Sequence, residues 1–194
     1  MKKLFLTLAV LFSVATIANA QDVGKIWVGG SVSFKSEKTD GFDRTNNYRI
    51  IPEIGYVVSD KLGVGIKLGY GHFESTKTII DATGNTISTK SKENGFTVNP
   101  FVRYSVLKGN IGGLFVDGGV GYSYLKEKGA DNKLHQWEVG FRPGVAVNVS
   151  DQVSLTGKFG FLGYENKKYG SRKTNSFGFD FDMTQVELGV NFVF

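Results

Sequence analysis

The stretch Leu62-Gly-Val-Gly-Ile-Lys-Leu-Gly-Tyr-Gly71 decides the fold, because large apolar residues alternate along it with glycine and lysine. A period of two places the two sets on opposite faces of a β-strand. Seven further segments of the 194-residue chain repeat this alternation. Each is long enough for the roughly 9–11 residues that a tilted membrane strand needs. The sequence therefore predicts an all-β chain with eight strands.

The connections between the segments alternate in length. Short ones lie at 59–61, 107–110 and 150–152, and long polar ones lie near 36–46, 74–95, 126–133 and 165–176. Tight turns at one rim and long loops at the other are typical of an outer-membrane barrel, whose turns are periplasmic. The pattern predicts an eight-stranded antiparallel up-and-down transmembrane β-barrel with short periplasmic turns and long extracellular loops.

The three prolines occupy equivalent positions in this scheme. Pro52, Pro100 and Pro143 each lie on the apolar face of a strand that runs toward a short turn. Proline within a sheet is normally confined to edges or bulges, and a closed barrel has no edge. We therefore expect a local bulge at each proline.

The composition of the polar face indicates which face points inward. Glycine is frequent on it, whereas a solvent-facing surface would carry many Lys and Glu residues and little Gly. In a narrow lumen small residues leave room, and opposite charges must pair because an isolated buried ion costs several kcal/mol. We therefore predict a charge-paired network in the lumen. Its members are Arg49, Glu53, Lys67, Arg103, Asp117, Glu138, Arg142, Lys158 and Glu187.

Aromatic residues on the apolar face concentrate near both ends of the strands. Tyr56 and Tyr104 lie just before short turns. The residues toward the long loops are Tyr48, Tyr70, Tyr122, Tyr124 and Trp137. Ordinary pairing of aromatic with aliphatic side chains is the alternative, but concentration at both ends favours two aromatic girdles at the membrane interfaces.

The first twenty residues have the features of a secretory signal. Lys2 and Lys3 precede an apolar run, and the small residues Ala18 and Ala20 supply a cleavage site. We predict that residues 1–20 are a cleaved signal peptide and that residues 21–194 form the barrel domain. Cleavage lowers the net charge from +5 to +3, and the remaining basic residues are scattered, which argues against nucleic-acid binding. The chain contains no cysteine, which excludes a disulfide framework or a lipoprotein anchor.

The last segment alternates up to the carboxylate. Its apolar residues are Val186, Leu188, Val190, Phe192 and Phe194. Phe177, Phe179 and Phe181 have the opposite parity, which predicts a slip near 184–185. The terminal strand resembles the C-terminal signal that the barrel-assembly machinery reads. Together with the strand pattern, it makes the chain similar to the small outer-membrane β-barrel family that includes the OmpA transmembrane domain, OmpX and OmpW.

That resemblance implies a location in the outer membrane of a Gram-negative bacterium. It also implies contact with membrane lipids and lipopolysaccharide, and with the assembly machinery during biogenesis. Polar loops of this kind can also contact a surface or host partner.

The sequence contains no nucleophile elbow, phosphate loop or paired-histidine metal spacing, so we predict no catalytic, cofactor or metal residues. The residue types of His72, Ser75 and Asp81 match those of a lipid acyltransferase site. The favoured interpretation is that His72 and His135 are solvated histidines at the rim. The predicted function is therefore that of a non-enzymatic barrel with a structural or surface-interaction role and a plugged lumen. A narrow porin-like channel for small solutes is the alternative, and a lipid-modifying enzyme is a third hypothesis.

Overall fold

Alternating apolar and polar residues form β-strands through nearly all of the chain that the computed structural model describes, which is residues 23–37, 45–80, 86–128, 133–180 and 187–194. The strands are β1 (Ile26–Glu37), β2 (Thr45–Val57), β3 (Leu62–Ile80), β4 (Thr86–Lys108), β5 (Gly112–Glu127), β6 (Lys133–Asn148), β7 (Val153–Lys158), β8 (Phe161–Tyr169), β9 (Arg172–Asp180) and β10 (Glu187–Val193). Within these ranges no helix is long and apolar enough to cross a membrane. The predicted signal segment, with Ala18 and Ala20, lies outside them.

The strands close into a ring of eight. Each of β1 to β5 pairs antiparallel with the next strand in the chain. The ring is completed by the pairs β6–β7, β7–β10 and β10–β1. Beside the upper part of β6, β8 takes the place of β7, and β9 pairs with β8 as β10 pairs with β7. The pairs β7/β8 and β9/β10 thus each fill one position in the wall, and the ten strands form an eight-stranded barrel. The predicted barrel and its strand number are confirmed.

The wall changes register where β7 ends and β8 begins. On β6, Gly144 pairs with Lys158 of β7, whereas Phe141 pairs with Leu162 of β8, a shift of one residue. Gly160 lies between the two strands with φ 70°, a left-handed conformation that favours glycine. The side chain of Phe161 therefore turns into the lumen, whereas strict alternation continued from Val153 and Leu155 would place it on the outer face.

The prolines interrupt the ladder without the expected bulges. Between β2 and β3 the pairing omits residues 51–52, and between β4 and β5 it omits residues 99–100, but the register is the same on both sides of each gap. Proline removes a hydrogen-bond donor, and the flanking pairs hold the register. At Pro143 the irregularity lies in the partner strand, at the β7–β8 break. The prediction of a bulge at Pro52 and Pro100 is therefore wrong.

Two of the long polar connections are largely β-hairpins. Strands β3 and β4 remain paired up to Ile80 and Thr86, and β8 and β9 up to Tyr169 and Arg172. Backbone hydrogen bonds continue above the apolar belt, where side chains no longer alternate in polarity. Polarity alone therefore predicted loops in segments that are mostly strand.

The core of the barrel is polar and its outer surface is apolar. Glu53, Lys67 and Asp117 are buried, whereas Ile54 and Val64, their neighbours in the wall, are exposed. This is the reverse of a soluble barrel and matches a protein whose outer surface meets lipid.

Candidate functional site: the barrel lumen

The lumen is organised around the carboxylate of Glu53, which is only 3 % exposed. Its Oε2 accepts a hydrogen bond from Nζ of Lys158 at 2.6 Å. Its Oε1 accepts hydrogen bonds from Nη2 of Arg103, Nε1 of Trp27 and Nδ2 of Asn191, each at 3.1 Å. These five residues come from five different strands, so Glu53 ties distant parts of the wall together across the lumen.

Asp117 forms the second centre of the same network. Arg103 donates to both of its carboxylate oxygens, from Nε at 2.7 Å and from Nη2 at 2.9 Å, in the fork geometry that strengthens an arginine–carboxylate pair. Nζ of Lys67 donates to Asp117 at 2.9 Å. Glu187 completes the group through Nζ of Lys158, at 3.4 Å. Three acids therefore face three bases, and the charges of this cluster cancel.

Aromatic rings pack against the network. The guanidinium carbon of Arg103 lies 4.3 Å from the ring centroid of Phe115, 5.2 Å from that of Trp27 and 5.3 Å from that of Phe101. Arginine is weakly hydrated and stacks on aromatic faces, so it tolerates this site better than lysine would. Inward glycines make room for the rings: a Cβ on Gly55 would lie 2.1 Å from Cζ2 of Trp27. The half of the lumen near the short turns is thus filled by charges and rings.

A smaller charged group lies beside this network. Nη1 of Arg142 lies 3.0 Å from Oε1 of Glu138, which also accepts a hydrogen bond from Nδ2 of Asn99 at 3.2 Å. The guanidinium of Arg142 also stacks on the ring of Phe161, 4.5 Å from its centroid. Arg49 lies apart from both groups, because no described acid is within ion-pair distance of it, and it lines the space above.

That space is a cavity of about 570 Å³ in the half of the lumen near the long hairpins. Its polar floor includes Lys67, Lys158 and Glu187. Its walls mix apolar and polar side chains, among them Phe73, Leu125, Leu134, Thr97, Ser123 and Gln136. Ser123 and Thr97 share a hydrogen bond of 2.8 Å between their hydroxyls. The upper lumen is therefore open where the lower lumen is filled.

The structure brings most of the sequence-predicted lumen residues together. Six form the main cluster, namely Glu53, Lys67, Arg103, Asp117, Lys158 and Glu187. Glu138 and Arg142 form a separate pair, and Arg49 joins neither. Sequence reasoning missed Trp27, Asn99, Phe101, Phe115 and Asn191. Their parity is that of the lumen-facing charges, and this was the available signal.

The predicted girdle residues lie on the outer wall. Tyr56 and Tyr104 are exposed near the short turns. Tyr48, Tyr70 and Trp137 are exposed toward the other rim, where Tyr122 and Tyr124 are half-buried among neighbouring rings. The hydroxyl of Tyr122 is 2.8 Å from Nδ1 of His135, so that histidine belongs to an aromatic cluster on the wall.

His72, the candidate acyltransferase residue, has structural partners. Its ring stacks on Tyr48 with centroids 5.2 Å apart, and its Nδ1 lies 2.6 Å from Oδ1 of Asn94. Its Nε2 lies 3.6 Å from Oε1 of Glu74. Asp81 and the side chain of Ser75 lie outside the described residues. In the described ranges no group of three side chains is arranged to hold a metal ion.

The C-terminal strand closes the ring. Val190 and Phe192 of β10 pair with Gly30 and Val28 of β1, and the backbone of Phe194 exchanges hydrogen bonds with that of Ile26 at 2.8 and 2.9 Å. Leu188, on the same outward face, is exposed. Val186 lies outside the described residues. The terminal alternation is thus part of the ladder that seals the barrel.

A closed antiparallel barrel with an apolar exterior and a charged, hydrogen-bonded interior defines an integral outer-membrane barrel. The chain belongs to the family of the outer membrane protein beta-barrel domain, which it matches over residues 4–194. Its location is the outer membrane. No curated protein sequence matches it.

Solved structures of outer-membrane proteins resemble this one. The outer membrane protein OprG of Pseudomonas aeruginosa is 13 % identical with a TM-score of 0.56, over 90 % of this chain and 98 % of OprG. A major outer membrane protein of Thermus thermophilus is 14 % identical with a TM-score of 0.51, over 88 % of this chain and 99 % of that one. Similarity at this identity establishes the fold alone.

Proposed function

We propose that this protein is a non-enzymatic outer-membrane barrel, closed at its periplasmic half and presenting its extracellular hairpins to surface partners. The observation that carries the proposal is the neutral cluster around Glu53 and Asp117, which occupies the lumen near the short turns. Eight strands enclose an interior that side chains can fill.

The energetics of the cluster support a closed lumen. A continuous pore through this level would require Glu53 or Asp117 to separate from Arg103 and Lys158. Separating one partner of a buried ion pair is strongly unfavourable, by about 3–5 kcal/mol, because it leaves an uncompensated charge. Arg103 contacts both Glu53 and Asp117, and Lys158 contacts both Glu53 and Glu187, so separation at one point disturbs several pairs. The network therefore acts as a plug.

The extracellular hairpins supply the interaction surface of the proposal. The β3–β4 and β8–β9 hairpins extend the wall beyond the aromatic girdle and carry polar and basic side chains. A rigid scaffold that displays variable polar segments is a common arrangement for binding. A surface or host protein is the proposed kind of partner.

The proposal includes the biogenesis of the chain. Residues 1–20 direct secretion and are removed, and residues 21–194 form the mature barrel. The assembly machinery recognises the last strand through Val186, Leu188, Val190, Phe192 and Phe194. Replacement of Phe194 by Ser is expected to slow assembly in cells.

Planar-bilayer conductance of the purified, refolded chain tests the closed lumen. We expect no large, stable single-channel steps. Such steps in the unaltered protein would contradict the closed lumen and would support the alternative, a narrow channel for small solutes. The double variant Glu53→Ala/Arg103→Ala should increase conductance, whereas Gln136→Ala, in the wall of the cavity, should not. A heat-modifiable shift in electrophoretic mobility would verify that each variant forms a barrel.

The enzymatic alternative has a separate test. If the barrel lacks acyltransferase activity, a deletion strain complemented with the His72→Ala variant should have the same membrane lipid composition as one complemented with the unaltered protein. A difference that depends on His72 would contradict the non-enzymatic assignment.

A further inference from the structure

Four lysines form a band on the outer wall near the extracellular rim. The β5–β6 register places Lys126 directly opposite Lys133, and the β8–β9 register places Lys168 directly opposite Lys173. His135 pairs with Lys168 and connects the two pairs across β6 and β8. All four lysine side chains are exposed. They share the outward face with the exposed Trp137, so the lysine band is turned toward the membrane surface and away from the lumen.

The lysine band carries uncompensated positive charge. Like charges directly opposite each other destabilise a sheet, and here two such pairs are adjacent. No described acid forms an ion pair with any of the four lysines. The nearest acids along the strands have the inward parity: Glu127 accepts hydrogen bonds from Ser91 and Tyr169, and Glu165 pairs with Lys167 at 2.9 Å. An anion outside the barrel would remove this repulsion.

An apolar groove lies below the lysine band on the same wall. Gly118 forms part of its floor, between its cross-strand partners Val102 and Phe141. Leu162 and Phe177 line it farther along the wall. Phe177 and Phe179 expose 78 % and 64 % of their surface beside it. The outer wall thus offers positive charge at the height of lipid headgroups and an apolar groove at the height of acyl chains.

We propose that the lysine band and the groove below it bind the lipid A part of lipopolysaccharide, a phosphorylated and multiply acylated glycolipid of the outer leaflet. Its phosphates would contact the lysines, which bind phosphate as point charges, and one of its acyl chains would lie in the groove. Adjacent strands are about 4.8 Å apart, so four strands place lysines across roughly 15 Å. That width suits a headgroup with two phosphates better than a phospholipid with one.

On the opposite side of the barrel, the described side chains do not show this combination. On β2 and β3 the residues of outward parity at the corresponding height include Asn46, His72 and Glu74. Glu74 lies 3.3 Å from Nζ of Lys92, so a described acid offsets the lysine there. The described residues therefore favour the β5–β9 side for the proposed lipid site.

Lipid binding by the full chain in nanodiscs tests the site. The discs contain phosphatidylcholine and a small fraction of diphosphorylated lipid A, and native mass spectrometry counts the lipid A retained. The Lys168→Gln/Lys173→Gln variant should weaken retention roughly 25-fold, because each lysine near an anionic surface contributes about a fivefold effect. The control Lys61→Gln/Lys108→Gln removes the same charge from the short-turn rim and should retain lipid A as the unaltered protein does.

Two further arms identify the ligand. Dephosphorylated lipid A should be retained weakly by all variants, and phosphatidylglycerol should show no comparable preference for the unaltered lysine band. Equal retention of phosphatidylglycerol and lipid A, or equal losses in the Lys168/Lys173 and control variants, would overturn the proposal. Gly118→Leu, which fills the groove, should reduce retention even with all four lysines present. Because the four lysines face away from the lumen, these results are independent of whether the barrel conducts.

Discussion

The two halves of the lumen obey the same alternation but are filled differently. Near the short turns, Glu53, Asp117 and their basic partners are buried over a layer of aromatic rings. Near the long hairpins, the inward side chains leave a cavity, and pairs such as Glu165 with Lys167 are partly exposed. The difference shows that alternation determines which side chains enter the barrel, whereas the size of the opposing residues determines whether the space is filled. It also predicts that equivalent substitutions will have unequal effects in the two halves.

The largest difference is expected from removing one carboxylate in each half. Glu53→Ala leaves Arg103 and Lys158 buried without their shared acid and should lower the free energy of unfolding by about 3–5 kcal/mol. Glu165→Ala breaks a partly exposed pair and should lower it by no more than about 1 kcal/mol. Urea titration in detergent micelles measures both values. Equal losses would contradict the contrast between the filled and the open half.

A second comparison uses glycine. Gly55→Ala places a Cβ 2.1 Å from the ring of Trp27 and should lower stability by about 1–3 kcal/mol through overpacking. A Cβ on Gly178, in the upper half, would meet no atom within 4 Å. Gly178→Ala should therefore leave stability unchanged or raise it by about 0.5–1 kcal/mol, since alanine restricts the unfolded chain. Thermal melts followed by circular dichroism would separate these outcomes, and destabilisation by Gly178→Ala would argue against an open upper lumen.

The smallest effect is expected at the partner of Glu165. Lys167→Met removes a charge that is partly exposed and should change stability by less than about 1 kcal/mol. The same urea titration applies. A larger loss would mean that the upper half depends on its ion pairs as much as the lower half does.

The sequence predicted the barrel well because membrane strands carry a strict signal. Lipid on one side and a charged lumen on the other enforce a period of two, as in Leu62–Gly71, and tight turns mark one rim. The signal failed where the backbone departs from extended geometry. Gly160 adopts a left-handed conformation, which turns Phe161 inward, and no alternation rule anticipates that.

The lumen was only partly predictable for a related reason. Parity identified Glu53, Lys158 and Arg103 as lumen-facing, but it could not show that all three meet. Which residues face each other across a barrel depends on the stagger of the strands, which single segments do not encode. Trp27 was not predicted as a lumen residue because a two-face pattern assigns large aromatic residues to the apolar outer face. It fits inside the barrel because Gly55, which pairs with it, leaves space for its ring.

The central claim is that the lower lumen is closed below an open upper cavity. Thiol labelling from both sides of the membrane tests it most directly. The chain has no cysteine, so a single Ser123→Cys substitution places one thiol in the wall of the upper cavity. In vesicles of known orientation, a membrane-impermeant thiol reagent should label this cysteine from the extracellular side and leave it unlabelled from the periplasmic side. Comparable labelling from both sides would contradict the closed lumen.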